Sequence, residues 1–353
     1  MQVKKVRPAA ERMNNMKALV TGADGLLGGN LIREMIERGI EARAIVHPKS
    51  VSRTLDGLPI ERITGDILDA AGLEEAAKGC EAVYHVAAST ALWPPKAPII
   101  TAVNVEGTRN MLDAAVKAGV KRFVHVGSAS SFGYGTKERP GDESTPFKYA
   151  DFGLAYFDSK LEAQRIALKH AADGKLDVVV VNPTFMIGPF DSGPSSGKMI
   201  SRFADMRPPF YPPGGRNFIH ARDAAKGMLA ACERGRTGEC YLLGNRNMDM
   251  KEFFSEVARV AGFKPPAIEI PKEIMMIAGA AGSAISNVTG KQPELSYEMA
   301  RSSCVGAYYS AAKAVKELAL PQTPIETAVE EAYEWLAENG HIKSARGRAG
   351  KRR

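Results

Sequence analysis

A doubly wound α/β fold, with a parallel sheet carrying helices on both faces and a smaller C-terminal domain, is the architecture this 353-residue sequence predicts. Three observations support it. From residue 16 onward, short apolar runs alternate with helical stretches, the pattern of parallel strands joined by crossover helices. The first of these runs passes through a glycine-rich turn directly into a helix. After Pro183 the alternation stops, and Gly-, Pro- and Ser-rich segments at 188–197 and 207–215 separate elements that no longer take turns.

In chain order, Met16 to Thr21 reads as a buried strand, Leu26 to Glu37 as a helix, and Glu41 to His47 and Ile60 to Gly65 as two further strands. Residues 69–78 read as a helix, Ala82 to Val86 as a short strand, Val103 to Ala118 as a helix and Arg122 to Gly127 as the fifth strand. A helix over Ala155 to Ala172 and a strand over Leu176 to Val181 complete the regular part. Right-handed crossovers turn such a series into the doubly wound form. Beyond it, Phe218 to His220 and Cys240 to Leu243 read as short returning strands, and 249–262, 271–288, 293–303 and 323–338 as helices. The expected division is a basic extension over 1–15, a dinucleotide-binding (Rossmann) domain over 16–187 rejoined by 216–245, a substrate domain from 188–215 and 246–340, and a basic tail over 341–353.

Composition narrows the function classes. A hydrophobic share of 44% is ordinary for a soluble globular chain and excludes disordered and fibrous classes. The net charge of +7 sits at the ends: residues 1–17 hold five cations against Glu11, residues 343–353 hold six with no acid, and the body between holds 36 basic and 39 acidic residues. No nucleic-acid recognition motif accompanies these ends, so solvated termini are expected and no specific nucleic-acid partner. Cys80, Cys232, Cys240 and Cys304 have neither paired nor metal-ligand spacing, which fits a reducing cytoplasm and no bound metal. No apolar run follows the basic start, so no secretory signal is expected. The stretch Ile274 to Val288 is too short and too rich in Gly, Ala and Ser for a membrane span, and is expected to wall a pocket or pack domains.

The chemistry begins at Gly22, Gly25 and Gly28, between the first strand and the first helix. Glycines there permit a tight turn, close approach of backbone to a pyrophosphate and close packing of helix on strand. The amides of the helix start, over Leu26 and Leu27, add donors and a favourable dipole for phosphates. The second strand ends Ala44-Ile45-Val46-His47, with no acid to hold a ribose 2′-hydroxyl or repel a 2′-phosphate. Arg43, His47 and Lys49 are candidates to surround that phosphate, so NADP(H) is favoured with NAD(H) as the alternative. Asp66, followed by Ile67, is a candidate to accept from the adenine amino group, or else an ordinary turn aspartate.

Tyr156 and Lys160 stand four residues apart on a helix and project from one face. In that arrangement the ammonium lowers the phenol pKa and holds a ribose while the phenol moves a proton to or from a carbonyl oxygen. Ser128, just past the fifth strand, supplies a hydroxyl to align the same oxygen, with Ser130 in reserve. Tyr309 and Lys313 repeat the spacing in the late, irregular part and are read as a decoy.

With these residues in view the chain resembles the extended short-chain dehydrogenase/reductase superfamily, in particular the dihydroflavonol-reductase-like branch of its epimerase/dehydratase family. The resemblance spans about residues 16–340, through the glycine loop, Gly65-Asp66-Ile67-Leu68-Asp69, His85-Val86-Ala87-Ala88, Asn104-Val105-Glu106-Gly107-Thr108, Ser128, Tyr156 with Lys160, Asn182-Pro183-Thr184 and Asn217-Phe218-Ile219-His220-Ala221-Arg222-Asp223. It implies that Ser128, Tyr156 and Lys160 form the catalytic triad, that Asn104 supports the active-site backbone, that Ala87 and Ala88 line the cofactor, that His85 is structural, and that Pro183 and Thr184 lie against the nicotinamide. Two departures matter. Relatives that prefer NADP often carry Arg where His47 stands, and Ala129 and Ser130 replace the acidic pair that sugar-nucleotide dehydratases place after the catalytic hydroxyl residue.

Leu92, Trp93, Phe185, Met186, Ile187, Met199, Phe210 and Tyr211 are the candidate substrate wall, suited to a fairly large apolar or aromatic ketone or aldehyde. The expected activity is NADP(H)-dependent reduction of such a small-molecule carbonyl. Two alternatives are an NAD-dependent nucleotide-sugar epimerase, with Arg216 and Arg301 as candidate diphosphate anchors, and a non-catalytic dinucleotide-sensing protein. A homodimer is compatible with the sequence.

Overall fold

The structure, a computed structural model, describes residues 16–344, so the expected extension over 1–15 and most of the basic tail lie outside the described residues. Its main sheet is built from β1 (Lys17–Thr21), β2 (Glu41–Val46), β3 (Glu61–Thr64), β4 (Ala82–His85), β5 (Arg122–Val126), β6 (Val178–Pro183) and β10 (Cys240–Leu243). They lie in the order β10-β6-β5-β4-β1-β2-β3, every adjoining pair parallel. The winding direction reverses between β1 and β4, which opens a crevice at the carboxyl ends of those strands.

The helices are α1 (Leu26–Glu37), α2 (Ala70–Ala77), α3 (Pro98–Thr101), α4 (Gly107–Lys117), α5 (Ala155–Ala172), α6 (Gly197–Met206), α7 (Ala221–Arg234), α8 (Met250–Ala261), α9 (Lys272–Thr289), α10 (Tyr297–Ser303), α11 (Ala312–Leu318) and α12 (Ile325–Glu338). Every residue of β6 is buried, because both sheet faces are covered. Leu31, Ile32 and Met35 of α1 meet Met228 and Leu229 of α7 on one face; Leu73, Met111, Leu112 and Ile166 of α2, α4 and α5 fill the other.

A smaller sheet holds β11 (Arg246–Asp249), β9 (Gly215–His220) and β13 (Gly306–Ala307) in that order, with β7 (Phe185–Ile187) also paired to β9. The strand expected over Phe218 to His220 therefore joins this sheet and not the large one, and of 216–245 it is α7 and β10 that return. The reason is local. After Pro183 the chain carries straight on through Thr184 into β7, and β7 offers its free edge to β9. The small sheet's core centres on Phe218 stacked on Phe253, centroids 4.4 Å apart. Helix α6, hidden in a Gly- and Pro-rich segment, adds Ile200 and Phe203 to that core. The helix expected from Val103 opens instead as a π turn over Ala102–Glu106 preceded by α3. Helix α9 packs its Gly279 and Gly282 face on Ala300, Ser296 and Leu295, and lies away from the cleft wall.

Helix α1 approaches β1 at Gly28, where a Cβ would stand 2.1 Å from the Gly22 carbonyl oxygen and 2.6 Å from Ala23 Cα. Backbone meets backbone there, so no rotamer relieves the clash. Gly28→Ala is expected to lower stability by roughly 1–3 kcal/mol and to loosen the loop. Gly29→Ala, whose Cβ would find ordinary contacts no closer than 3.6 Å, is expected to be neutral or to stabilise by up to about 1 kcal/mol. Urea unfolding of the two variants beside the parent checks the contrast.

Candidate active site

The crevice between β1 and β4 widens into a cavity of about 1330 Å³ that runs from the glycine loop to Ser128, Tyr156 and Lys160. At its centre Gly22 adopts φ +64°, and a Cβ there would meet the Ala87 backbone nitrogen at 2.7 Å. The first turn of α1 has no side-chain cap and no acid, so its amide donors face the cavity unopposed. A bare glycine floor under free N–H groups fits a dinucleotide diphosphate. Gly22, Gly25, Leu26, Leu27, Gly28, Ala87 and Ala88 all stand on this wall.

At the end of the cavity beside β2 and β3, His47, Lys49, Asp66 and Ile67 also reach the wall. His47 Nε2 lies 3.5 Å from Asp66 Oδ2, and Asp66 Oδ1 accepts from the Leu68 amide at 2.9 Å, closing a local turn. Arg43 does not belong to the site. Its guanidinium donates to the carbonyls of Ala76 and Lys78, both at 2.8 Å, and pairs with Glu61. Position 43 lies near the start of β2, two residues before Ile45, where that strand first lines the cavity. A segment the sequence reading passed over takes part instead: Ser50, Ser52, Arg53 and Thr54 line the cavity. Ser52 Oγ reaches Asp24 O at 3.0 Å and Ser192 Oγ at 2.8 Å, so it clasps the glycine loop to the segment that follows β7. A Ser- and Thr-rich stretch after a strand was the available signal.

At the other end Tyr156 OH donates to Ser128 Oγ at 3.5 Å, and Ser130 Oγ lies 2.8 Å from the same Ser128 oxygen. Lys160 Nζ donates to Val126 O at 2.7 Å. Burial pushes the Lys160 ammonium down to about 8, since no carboxylate faces it. Burial also raises the Tyr156 phenol, an effect partly offset by its bond to Ser128. Pro183 and Thr184 complete the wall beside this group, with the Thr184 amide fixed on Leu243 O at 2.9 Å.

A directional hydrogen-bond chain ties the floor together. The Ala87 amide donates to Thr21 Oγ1 at 3.1 Å, and Thr21 Oγ1 lies 2.9 Å from His85 Nδ1. His85 Nε2 lies 3.1 Å from Thr108 Oγ1, which donates to Asn104 O at 2.7 Å. Thr21 and Thr108 each have one hydroxyl proton, so the ring carries its proton on Nε2. Complete burial holds His85 neutral, its pKa lowered to about 3. Asn104 continues the chain without touching the cavity: its side chain pairs with the Ser89 amide at 2.7 Å and Ser89 carbonyl at 3.0 Å, and donates to Ser159 Oγ at 3.0 Å. Asn182, which the residue-by-residue reading left without a role, donates to Ser128 O at 2.9 Å and Gln164 Oε1 at 2.7 Å. A lone amide ending a run of four valines was its signal.

Of the expected substrate wall, Phe185 and Met186 line the cavity. The others do not. Leu92 packs on Tyr149, Phe152 and Leu154, and Trp93 precedes a cis proline in the same loop. Ile187, Met199 and Tyr211 belong to the small-sheet core, while Phe210 is exposed on the short strand β8 (Phe210–Tyr211). For Leu92, Ile187, Met199 and Tyr211 the apolar character reports packing. Tyr309 OH bonds Tyr149 OH at 2.6 Å and Lys313 Nζ bonds Glu239 and Cys240 O, so that pair stays off the site. Among the described residues no group of His, Cys, Asp and Glu could hold a metal, and no helix is long and apolar enough to cross a membrane.

Residues 18–244 match the model of the NAD dependent epimerase/dehydratase family. A protein of Synechocystis sp. named as a dihydroflavonol 4-reductase is 34% identical over 330 residues, 92% of this chain and 96% of its own length. The sterol demethylase protein B of Methylococcus capsulatus is 31% identical over 330 residues, 93% of this chain and all of its own. The crystal structure of gox2253 superposes with a TM-score of 0.81 at 33% identity, covering 93% of this chain and 100% of that one. Glycine cradle, Tyr-Lys helix and full-length likeness agree: the chain belongs to the NAD-dependent epimerase/dehydratase family, an extended short-chain dehydrogenase/reductase of the dihydroflavonol-reductase-like group whose chemistry is NAD(P)-dependent oxidoreduction.

Proposed function

We propose that the chain is an NADP(H)-dependent reductase of a fairly apolar ketone or aldehyde. The observation that carries this reading is the meeting of Tyr156 OH and Ser128 Oγ, 3.5 Å apart, at the cavity end walled by Phe185 and Met186. A nicotinamide bound along the glycine floor would supply the hydride to the carbonyl carbon. Ser128 Oγ donates a hydrogen bond to the carbonyl oxygen and holds it toward Tyr156. Tyr156 gives its phenolic proton to that oxygen as negative charge develops there. Lys160, charged below about pH 8, favours the phenolate left behind and binds ribose hydroxyls. Asn182 and Asn104 fix the backbones that carry Ser128 and Ser89.

For the cofactor, the acid-free end of β2 and the cations Lys49 and Arg53 on the adenosine wall support a 2′-phosphate. The epimerase alternative is weakened by the two arginines it would use. Arg216 spends its guanidinium on the carbonyls of Gly215, Val305 and Ser302, and Arg301 on Asp151 O. The relatives' names, a dihydroflavonol reductase and a sterol-processing protein, favour reduction of an apolar substrate.

Tyr156→Phe is expected to lower kcat for ketone-dependent NADPH oxidation by about 10²–10⁴-fold with NADPH affinity retained; absorbance loss over a panel of aryl and alkyl ketones measures it, and an unchanged rate removes the proposed acid. Lys49→Ala is expected to weaken NADPH about 5–10-fold with little effect on NADH, read by nucleotide fluorescence titration. Because Lys160 loses its proton near pH 8, reductive kcat/KM should hold steady at lower pH and fall above that value; a profile flat through pH 10 contradicts the assignment.

A further inference from the structure

Three groups converge on one oxygen at the catalytic end of the cavity. Ser128 Oγ receives the Ser130 amide at 3.2 Å and the Tyr156 phenol at 3.5 Å, and the Ser130 hydroxyl oxygen stands 2.8 Å away. The position of that oxygen is fixed from behind. The Ser128 carbonyl accepts from Asn182 Nδ2 and from the Ser131 amide, both at 2.9 Å, and Ser128 caps the 3₁₀ turn over Ala129–Ser131 through the same Oγ. Only the direction of the hydroxyl proton is left free. Ser130 is 7% exposed and is not among the residues that line the cavity, so whatever it does to a substrate it does through Ser128.

A hydroxyl oxygen has one proton to give and two lone pairs to receive. In the free site the Ser130 amide and the Tyr156 phenol occupy both lone pairs of Ser128 Oγ, so the Ser128 proton points at Ser130 Oγ, the remaining neighbour. That leaves the Ser130 proton without an acceptor, since among the described residues Ser130 Oγ has no other hydrogen-bond partner. A carbonyl oxygen placed between Ser128 and Tyr156 reverses the count. Tyr156 turns its proton to the carbonyl, one lone pair of Ser128 Oγ falls open, the Ser130 hydroxyl fills it, and the Ser128 proton swings to the carbonyl. Each serine keeps its own proton, and only the O–H directions change. Every donor then has an acceptor. The Ser128 hydroxyl, polarised by two incoming hydrogen bonds, becomes a stronger donor toward the oxygen on which negative charge develops.

We propose that Ser130 is a positioning residue of this site: its hydroxyl accepts from Ser128 in the free enzyme and turns to donate to Ser128 when a carbonyl binds, which commits the Ser128 proton to the substrate. The inference rests on the reductase reading above and assigns a role to a side chain that never meets the substrate. Ser130→Ala should lower kcat for ketone-dependent NADPH oxidation by about 3–10-fold, with ketone KM, NADPH affinity and melting temperature retained. In a Ser128→Ala background the same change should cost nothing further, because its effect passes through Ser128. A second readout needs no substrate. Once Tyr156 ionises, the same two hydroxyls point toward its phenolate, so Ser130→Ala should move the Tyr156 titration to higher pH, measured as tyrosinate absorbance by difference from Tyr156→Phe in each background. An unchanged kcat in Ser130→Ala overturns the proposal, as does an unmoved tyrosinate titration. An equal loss of rate with and without Ser128 also overturns it, since Ser130 then acts by packing alone. A parent chain that reduces no carbonyl removes the reductase reading instead, and the titration by itself then decides whether Ser130 turns.

Discussion

A buried, neutral imidazole is the constraint on which the cleft depends. His85 accepts on one ring nitrogen and donates on the other, so β1, the end of β4 and the helical turn at Asn104 are held in one polarity of hydrogen bonding. Protonation would break that direction, and burial prevents it by holding the pKa to about 3. The geometry at Ala87 and Ser89, opposite the glycine loop, thus stays fixed across the pH range in which the enzyme group itself titrates. A charged His85 would force Thr21 to stop donating, and the Ala87 amide would lose the orientation that leaves space beneath Gly22.

The large sheet was legible because its central strands are buried on both faces and its helices on one, so apolar runs and amphipathic periods separate cleanly. The first helix was read to its observed bounds, Leu26–Glu37. The π turn at Ala102–Glu106 was not legible. It arises where Asn104 must turn toward Ser89, a tertiary demand that leaves no periodic trace. The short strands of the second sheet escaped for a related reason: two- or three-residue ladders such as Gly306–Ala307 carry too few side chains to show alternation.

In the site, residues bound to backbone geometry were easier to find than residues chosen by chemistry alone. The glycines and the Tyr-Lys pair occupy positions that few other residue types can fill. Arg43 was misplaced because a charge inside a strand does not reveal how far it stands from the strand's carboxyl end, and its partners at Ala76 and Lys78 come from a different element. Likewise apolar residues at Ile187, Met199 and Tyr211 look the same in sequence whether they face a ligand or a core, and here the small sheet claims them. The clasp made by Ser52 was invisible because its meaning lies in Ser192, far along the chain.

The uninterrupted passage from β6 through Thr184 into β7 couples the two sheets mechanically. With one extended segment shared between them and no flexible joint at that crossing, the smaller sheet cannot swing freely as a rigid door. Exchange of bulky molecules then falls to the peripheral straps, and the serine latch between residues 52 and 192 becomes the place where breathing of the enzyme would be governed.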